Sequence, residues 1–261
     1  VITTLDTYTI LDEARHSEIT TYNALGEFVD RQVIDYVSYD PYSNVTFQTI
    51  ASYDEVGAII DYREIQNVYL DPVARQRGNA THTTITRYTD TLMTQEIERQ
   101  EIDNHVDTID SLGRIHDQTI SLYIGGVHAK TTEITNVYEG LDSDAEFQMI
   151  QTFVLDEATG IVNIETGYQE ILNLSYDSNH NSYRQSIASY LTKGGVLLER
   201  QEIYTLDYDT RGNAVDQMIA TYSPDGDLLD VKHVLTTLKS NGNVTESEVI
   251  RYSTGLVGES I

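Results

Sequence analysis

The feature that most constrains this chain is that it returns to the same order of residues about every thirty-two positions. Tyr208-Asp209-Thr210-Arg211-Gly212-Asn213 leads to Gln217-Met218-Ile219-Ala220-Thr221-Tyr222 and a second turn at Ser223-Pro224-Asp225-Gly226-Asp227. The order recurs from Tyr176 through Gln185-Ser186-Ile187-Ala188-Ser189-Tyr190 and a Lys193-Gly194-Gly195 turn. With the apolar residue that opens the first turn as marker, copies start near Leu11, Tyr39, Leu70, Ile109, Leu141, Tyr176, Tyr208 and Leu238. The aromatic residue that closes the first strand falls at Tyr22, Tyr53, Tyr88, Tyr123, Phe153, Tyr190, Tyr222 and Tyr252. In the copies from Tyr39, Ile109, Tyr176, Tyr208 and Leu238 the two markers stand 14 residues apart, a regularity chance would rarely produce. A chain built this way stacks like units on their neighbours rather than winding around one centre.

Local chemistry assigns the parts of each copy. Val45-Thr46-Phe47-Gln48-Thr49-Ile50 and Thr83-Thr84-Ile85-Thr86 are rich in β-branched residues, which suit a pleated surface and lose rotamer freedom in a helix. Asp54 to Gly57, Asp110 to Gly113 and Asp209 to Gly212 follow Asp-x-x-Gly. There the Asp accepts local backbone hydrogen bonds and the Gly takes a positive φ, as in a type I turn closed by a bulge. Turns this short join antiparallel neighbours, since a parallel crossover needs a dozen residues or more. The expectation is an all-β chain, an antiparallel meander of about sixteen strands in eight copies, forming one tandem-repeat module over residues 1–261.

Ile50, Ile187 and Ile219 stand three positions before the closing aromatic, so strand alternation puts the two on opposite faces. Two arrangements bury such stripes: a sandwich, or a large curved, shell-like sheet with Ile inward and a Tyr ladder outside. The intervening Thr, Ser, Gln and Glu favour the curved sheet with a wet face. The apolar fraction of 39%, against about 45–50% in ordinary globular domains, points the same way.

The turn Tyr208-Asp209-Thr210-Arg211-Gly212-Asn213, with Ile109-Asp110-Ser111-Leu112-Gly113-Arg114-Ile115, resembles the Rhs/YD-repeat family of large bacterial surface and secreted proteins. The likeness runs along nearly the whole chain. Departures are Leu in place of Tyr at positions 70, 141 and 238, turns without Gly at Asp40 and Asp142, and copies longer than the usual unit. The resemblance implies a sheet that spirals into a shell or extends as a surface structure, an extracellular or cell-surface location, and a role as scaffold. Asp40-Pro41 and Asp71-Pro72 read as turn dipeptides, not as the family's autocleavage region.

Chemistry-bearing motifs are sparse. The formal charge is −26, from 16 Lys and Arg against 42 Asp and Glu, which repels nucleic acid and anionic membrane surfaces. There is no cysteine, and no apolar run approaches the roughly 18 residues of a membrane helix, so membrane insertion is not expected. The chain starts on Val1 without a signal peptide's basic and apolar regions and reads as a piece of something longer. His16, His82, His105, His116, His128, His180 and His233 fall at different phases of the repeat with no zinc spacing. Glu96, Glu98, Glu101 and Asp103 form the densest carboxylate set, with Glu96 and Glu98 expected on one strand face. In so acidic a chain that set reads as a solvated face, and no enzyme activity is expected.

Two turns collect oxygen ligands at alternate positions. Asp177, Asn179 and Asn181, and separately Asp142, Asp144 and Glu146, resemble the first half of a calcium loop but lack its Gly and its distal Glu. The same residues are ordinary turn formers. Calcium is thus the one candidate ligand, with no other cofactor expected. Asn44, Asn79, Asn173 and Asn243 open glycosylation sequons that the repeat itself accounts for. The longer stretch from Leu70 to Tyr88, with Arg75 and Arg77, reads as a surface insertion, or a partner-binding loop. The leading functional expectation is architectural: shell wall, spacer or fibre segment. The alternative is a binding module that offers Tyr ladders and acidic turns to glycans, calcium or a protein. The expected partners are neighbouring repeats, or another copy pairing at an edge strand.

Overall fold

The structure, a computed structural model, describes residues 2–23, 25–140, 144–177, 180–209, 212–238 and 244–252. Sixteen strands account for most of it. The first eight are β1 (Ile2–Tyr8), β2 (Ala14–Tyr22), β3 (Phe28–Tyr39), β4 (Val45–Tyr53), β5 (Ile59–Val68), β6 (His82–Tyr88), β7 (Glu96–Asn104) and β8 (Asp117–Ile124). The rest are β9 (Val127–Val137), β10 (Phe147–Asp156), β11 (Ile161–Tyr176), β12 (Ser182–Tyr190), β13 (Leu197–Tyr208), β14 (Ala214–Tyr222), β15 (Leu228–Leu238) and β16 (Val244–Tyr252). They hydrogen-bond in sequence order as one sheet, with β1 and β16 at its two ends. The meander is as the turns require. The chain's contacts fall into two compact units, one of residues 1–132 and 154–163, the other of 133–153 and 164–261. No helix is long and apolar enough to cross a membrane among the described residues.

One five-residue loop recurs along the chain. In Asp54 to Ala58 the Asp54 N–H donates to the Ala58 carbonyl, and the Gly57 N–H donates to the Asp54 carbonyl. Asp54 Oδ1 accepts from the N–H groups of Val56 and Ala58. The same backbone pattern closes the loops that start at Thr9, Asn23, Asp40, Asp110, Asp177, Asp209 and Ser223. It thus serves both turns of the repeat, not only the first. The fourth residue takes a positive φ, +79° at Gly57 and +80° at Gly212, where a Cβ is costly. Where Gly is absent the conformation persists: Asp12, Ser43 and His180 hold φ of 64°, 62° and 65°. The first copy's turn therefore follows Tyr8, three residues before the Leu11 marker.

The registers separate two faces. Arg31 opposes Tyr53 and Ile34 opposes Ile50, so the closing Tyr53 and Ile50 point to opposite faces of β4. Directly opposed Ile pairs recur as Ile65 with Ile85, Ile102 with Ile120, Ile171 with Ile187, and Ile203 with Ile219. Cross-strand pairs of this kind contribute about 0.2–1 kcal/mol each. On the tyrosine face, Tyr53, Tyr88, Tyr123, Tyr190 and Tyr222 are each opposed on the preceding strand by an Arg or another Tyr, whereas Tyr252 faces Val231. The guanidinium carbon sits 4.4 Å from the ring centroid for Arg31 over Tyr53, 4.1 Å for Arg99 over Tyr123 and 5.0 Å for Arg200 over Tyr222. Beneath these long side chains lie small residues two positions before the aromatic, and Thr20, Ala51, Thr86 and Ala220 are buried there. Among the described residues the only buried apolar side chains are Ala51, Ala74, Tyr168, Ala220 and Val231, so no deep core forms.

Candidate functional site

The polar side chains of the repeat are spent on the neighbouring repeat. Tyr39 Oη donates to the Ala14 carbonyl, Tyr69 to Val45 at 3.2 Å, Tyr176 to Ala145 at 2.6 Å, and Tyr208 to Ser182. Each hydroxyl reaches back 24 to 31 residues to the start of the preceding copy's first strand. In the third copy this is done by Tyr69, so the tyrosine is not replaced by Leu70 but stands one residue earlier. An amide ladder runs alongside. Asn67, Asn104 and Asn173 donate through Nδ2 to the carbonyls of Val45, Ala80 and Ala145. On the far side Asn104, Asn136 and Asn173 accept through Oδ1 from Gln118, Gln148 and Gln185.

The Leu70–Tyr88 stretch is part of this network. Asp71 caps the short helix α1 (Pro72–Gln76) by accepting from the N–H groups of Val73 and Ala74. Arg75 Nε donates to Asp40 Oδ2 at 2.7 Å, and its guanidinium lies 4.9 Å from the Tyr42 ring centroid. Asn79 Nδ2 donates to the Gly113 carbonyl, so the insertion clasps the turns of the second and fourth copies. Desolvation pushes the Asp40 pKa up. The Arg75 hydrogen bond and the donors of Asn44 and Tyr42 outweigh it and hold the carboxyl down at about 2. Desolvation likewise acts on Asp110, and bonds from Arg114, Leu112 and His116 hold it at about 2.

The two calcium-like segments meet in space. Glu139, Asp144, Glu146, Asn173, Leu174, Tyr176, Asp177 and His180 line one cleft of about 330 Å³. Three links build it: the Glu146 N–H donates to the Val137 carbonyl, the Asn173 N–H donates to the Glu146 carbonyl, and His180 Nδ1 lies 2.6 Å from Asp144 Oδ2. Asn181 closes the turn, giving its N–H to Asp177 Oδ1 at 2.8 Å and its Nδ2 to Asp177 Oδ2 at 3.0 Å. Burial, the charge of Glu139 and a hydrogen bond with Glu139 raise the Glu146 pKa. Burial and the Asp144 charge push Tyr176 up to about 12. Asp142 and Asn179 lie outside the described residues. Among the described residues, no three Asp, Glu or His side chains gather closely enough to hold a metal ion. The contributions of Glu139, Asn173 and His180 to this cleft escaped the sequence reading. The recurring phase of Asn67, Asn104, Asn136 and Asn173 was the signal available for Asn173.

The remaining candidates separate. Tyr88 opposes Glu96 while Arg87 opposes Glu98, with a register shift between them. This bulge puts Glu96 and Glu98 on opposite faces, correcting the expectation that they share one, because an extra residue breaks the period of two. Glu96 and Glu101 both pair with Arg99. Four histidines pair with carboxylates, His16 with Asp35, His116 with Asp110, His180 with Asp144 and His233 with Asp216. Asn44 donates to Asp40 and to the Arg75 carbonyl, so with Asn79 and Asn173 three sequon asparagines are engaged in repeat contacts. Asn243 lies outside the described residues.

No protein-family model matches the chain, and no curated protein matches it. Among solved structures it is similar to one described as the crystal structure of TcdB2-TccC3-TEV, at 11% identity and a TM-score of 0.26. The likeness covers 93% of this chain, which spans 16% of the length of that one.

Proposed function

We propose that the chain is an architectural β-repeat segment, a shell wall, spacer or fibre section of a large bacterial surface or secreted protein, without catalysis. The observation that carries this reading is where its polar groups point. The repeating Tyr hydroxyls, Asn amides and the Arg75–Asp40 pair are turned onto the adjacent copy. Stability then comes from nearest-neighbour contacts, as in other solenoids. Under this reading the partners are further repeats, or a second copy, hydrogen-bonding to the strands at the ends of the order. The Rhs/YD resemblance of the turns supports the extracellular or cell-surface location.

A panel of glycans, divalent cations and basic proteins tests the role: the full chain should show no saturable binding. Surface labelling of intact cells of the producing organism tests the location, and a purely cytosolic protein would overturn it. The second reading, a binding module, is favoured by one feature, the cleft that gathers Glu139, Asp144, Glu146 and Asp177. Saturable binding lost in Asp144→Asn would select it.

A further inference from the structure

Two places on the tyrosine face break the Arg-over-Tyr pattern in the same way. Where β3, β7 and β13 present Arg31, Arg99 and Arg200 to the closing tyrosine, β5 and β11 present Tyr62 and Tyr168. Tyr62 directly opposes Tyr88, with ring centroids 6.3 Å apart at 45°. Tyr168 opposes Tyr190, at 5.8 Å and 46°. Each pair also has a carboxylate two residues beyond its first tyrosine. Glu64 Oε2 accepts from Tyr88 Oη at 3.2 Å. Glu170 accepts from both phenols, from Tyr168 at 3.2 Å and from Tyr190 at 3.3 Å.

We propose that Tyr62–Tyr88 and Tyr168–Tyr190 are oxidative cross-linking sites, at which a one-electron oxidant of the haem peroxidase and hydrogen peroxide class joins adjacent strands through dityrosine. Each phenol loses one electron and its hydroxyl proton; the proton of Tyr88 passes to or through Glu64, those of Tyr168 and Tyr190 to or through Glu170, and that of Tyr62 to solvent. The two phenoxyl radicals combine by forming one carbon–carbon bond between ortho positions. The two ortho protons then leave as both rings regain aromaticity and both oxygens are reprotonated. Over the whole step two phenols lose two hydrogens, and one peroxide becomes two waters.

The geometry supplies what this chemistry needs. Cross-strand partners keep their Cβ atoms roughly 4.5–5.5 Å apart, so rotation about the side-chain bonds brings ortho carbons into contact without moving the backbone. Burial and the adjacent carboxylate raise the pKa values of Tyr88, Tyr168 and Tyr190, so the phenols are protonated at rest. Loss of an electron makes a phenol strongly acidic, and the hydrogen-bonded carboxylate is then the ready acceptor. Tyr168 is 5% exposed, so its electron must leave the ring by transfer through neighbouring side chains rather than by direct contact with the oxidant. This inference stands on the pairs themselves and does not depend on the architectural role.

The chain carries its own controls. Tyr53, Tyr123 and Tyr222 occupy the same register position but face Arg, which cannot couple. Tyr183 and Tyr208 lie 6.4 Å apart at 64°, but the Tyr208 hydroxyl donates to the Ser182 carbonyl rather than to a base. The test treats dilute full-length chain with a haem peroxidase and hydrogen peroxide, and reads dityrosine fluorescence and linked peptides that have lost two hydrogens. Both predicted links should form within monomers. Tyr62→Phe should remove only the first and Tyr168→Phe only the second, each with an unchanged circular dichroism spectrum. Glu170→Gln should slow the second severalfold relative to the first. Links confined to exposed tyrosines such as Tyr8 and Tyr42 between molecules, or dityrosine yields unchanged in both Phe variants, would overturn the proposal. Equal coupling rates at Tyr183–Tyr208 would overturn the part assigned to the carboxylates.

Discussion

Asp40→Ala should cost far more stability than Asp54→Ala, although both residues open the same five-residue loop. Asp54 accepts two hydrogen bonds, both from its own turn, at 3.0 and 2.8 Å. Removing such a local acceptor resembles loss of a helix cap and costs about 1 kcal/mol. Asp40 accepts the equivalent pair from Tyr42 and Asn44, a third bond from Asn44 Nδ2, and the Arg75 Nε–H at 2.7 Å. Its side chain is 6% exposed and that of Arg75 is 30% exposed. A charge-assisted bond at so covered a site adds about 1.5–3 kcal/mol, so the total for Asp40→Ala is about 2.5–4 kcal/mol. The pKa offers an independent estimate. A fall from 3.8 to about 2 corresponds to roughly 2 kcal/mol, reduced somewhat because Arg75 is partly solvated.

The sign follows from the depressed pKa. The contribution is fully present above the unfolded value of 3.8 and is lost as pH falls through that value toward 2. The assay is urea denaturation of wild type, Asp40→Ala, Asp54→Ala and Asp40→Asn, with the m-value checked for constancy. Asp40, Arg75 and Asp54 belong to the same compact unit, so one transition reports all of them. At neutral pH Asp40→Asn should trail wild type by about 2 kcal/mol, with the gap closing between roughly pH 4 and pH 2. Equal losses for Asp40→Ala and Asp54→Ala, or a wild-type to Asp40→Asn gap that does not change with pH, would refute the reasoning.

Three further outcomes are expected. Tyr176→Phe, which deletes only the hydroxyl that reaches the Ala145 carbonyl, should cost about 1 kcal/mol in the same denaturation assay, and a neutral result would remove the clamp role. Gly212→Ala should destabilise more than Gly57→Ala. Both pay about 1–2 kcal/mol for positive φ, but a Cβ at Gly212 would sit 2.8 Å from Asn181 Oδ1 while Gly57 faces open space. Millimolar calcium should leave the melting temperature where chelator leaves it, because both Asp177 oxygens accept from Asn181 and Asp144 pairs with His180. A calcium-dependent rise that Asp144→Asn abolishes would show a cation in the cleft.

By itself the sequence determined the strands, the turns and their consecutive order. Those are local matters: β-branched residues in alternation, and an Asp or Asn whose side chain closes its own loop within four residues, as at Asp54 and Asp110. The opposition of Ile50 and Tyr53 was legible for the same reason, since alternation along one strand suffices. Tertiary structure decided which side chain meets which across 24 to 36 residues, because that depends on register, and register is set jointly by loop lengths and bulges. One bulge sent Glu96 and Glu98 to opposite faces, and one residue of offset made Tyr69 rather than Leu70 the clamp. The helix at Pro72–Gln76 carried a visible Asp-Pro start, but its role appeared only when Arg75 met Asp40 in the folded chain. The acidic cleft was half visible: Asp144, Glu146 and Asp177 were legible as two separate turns, and antiparallel pairing of their strands made them one site. Short-range hydrogen bonding is written in consecutive residues, whereas contact between copies exists only once the register brings their strands together.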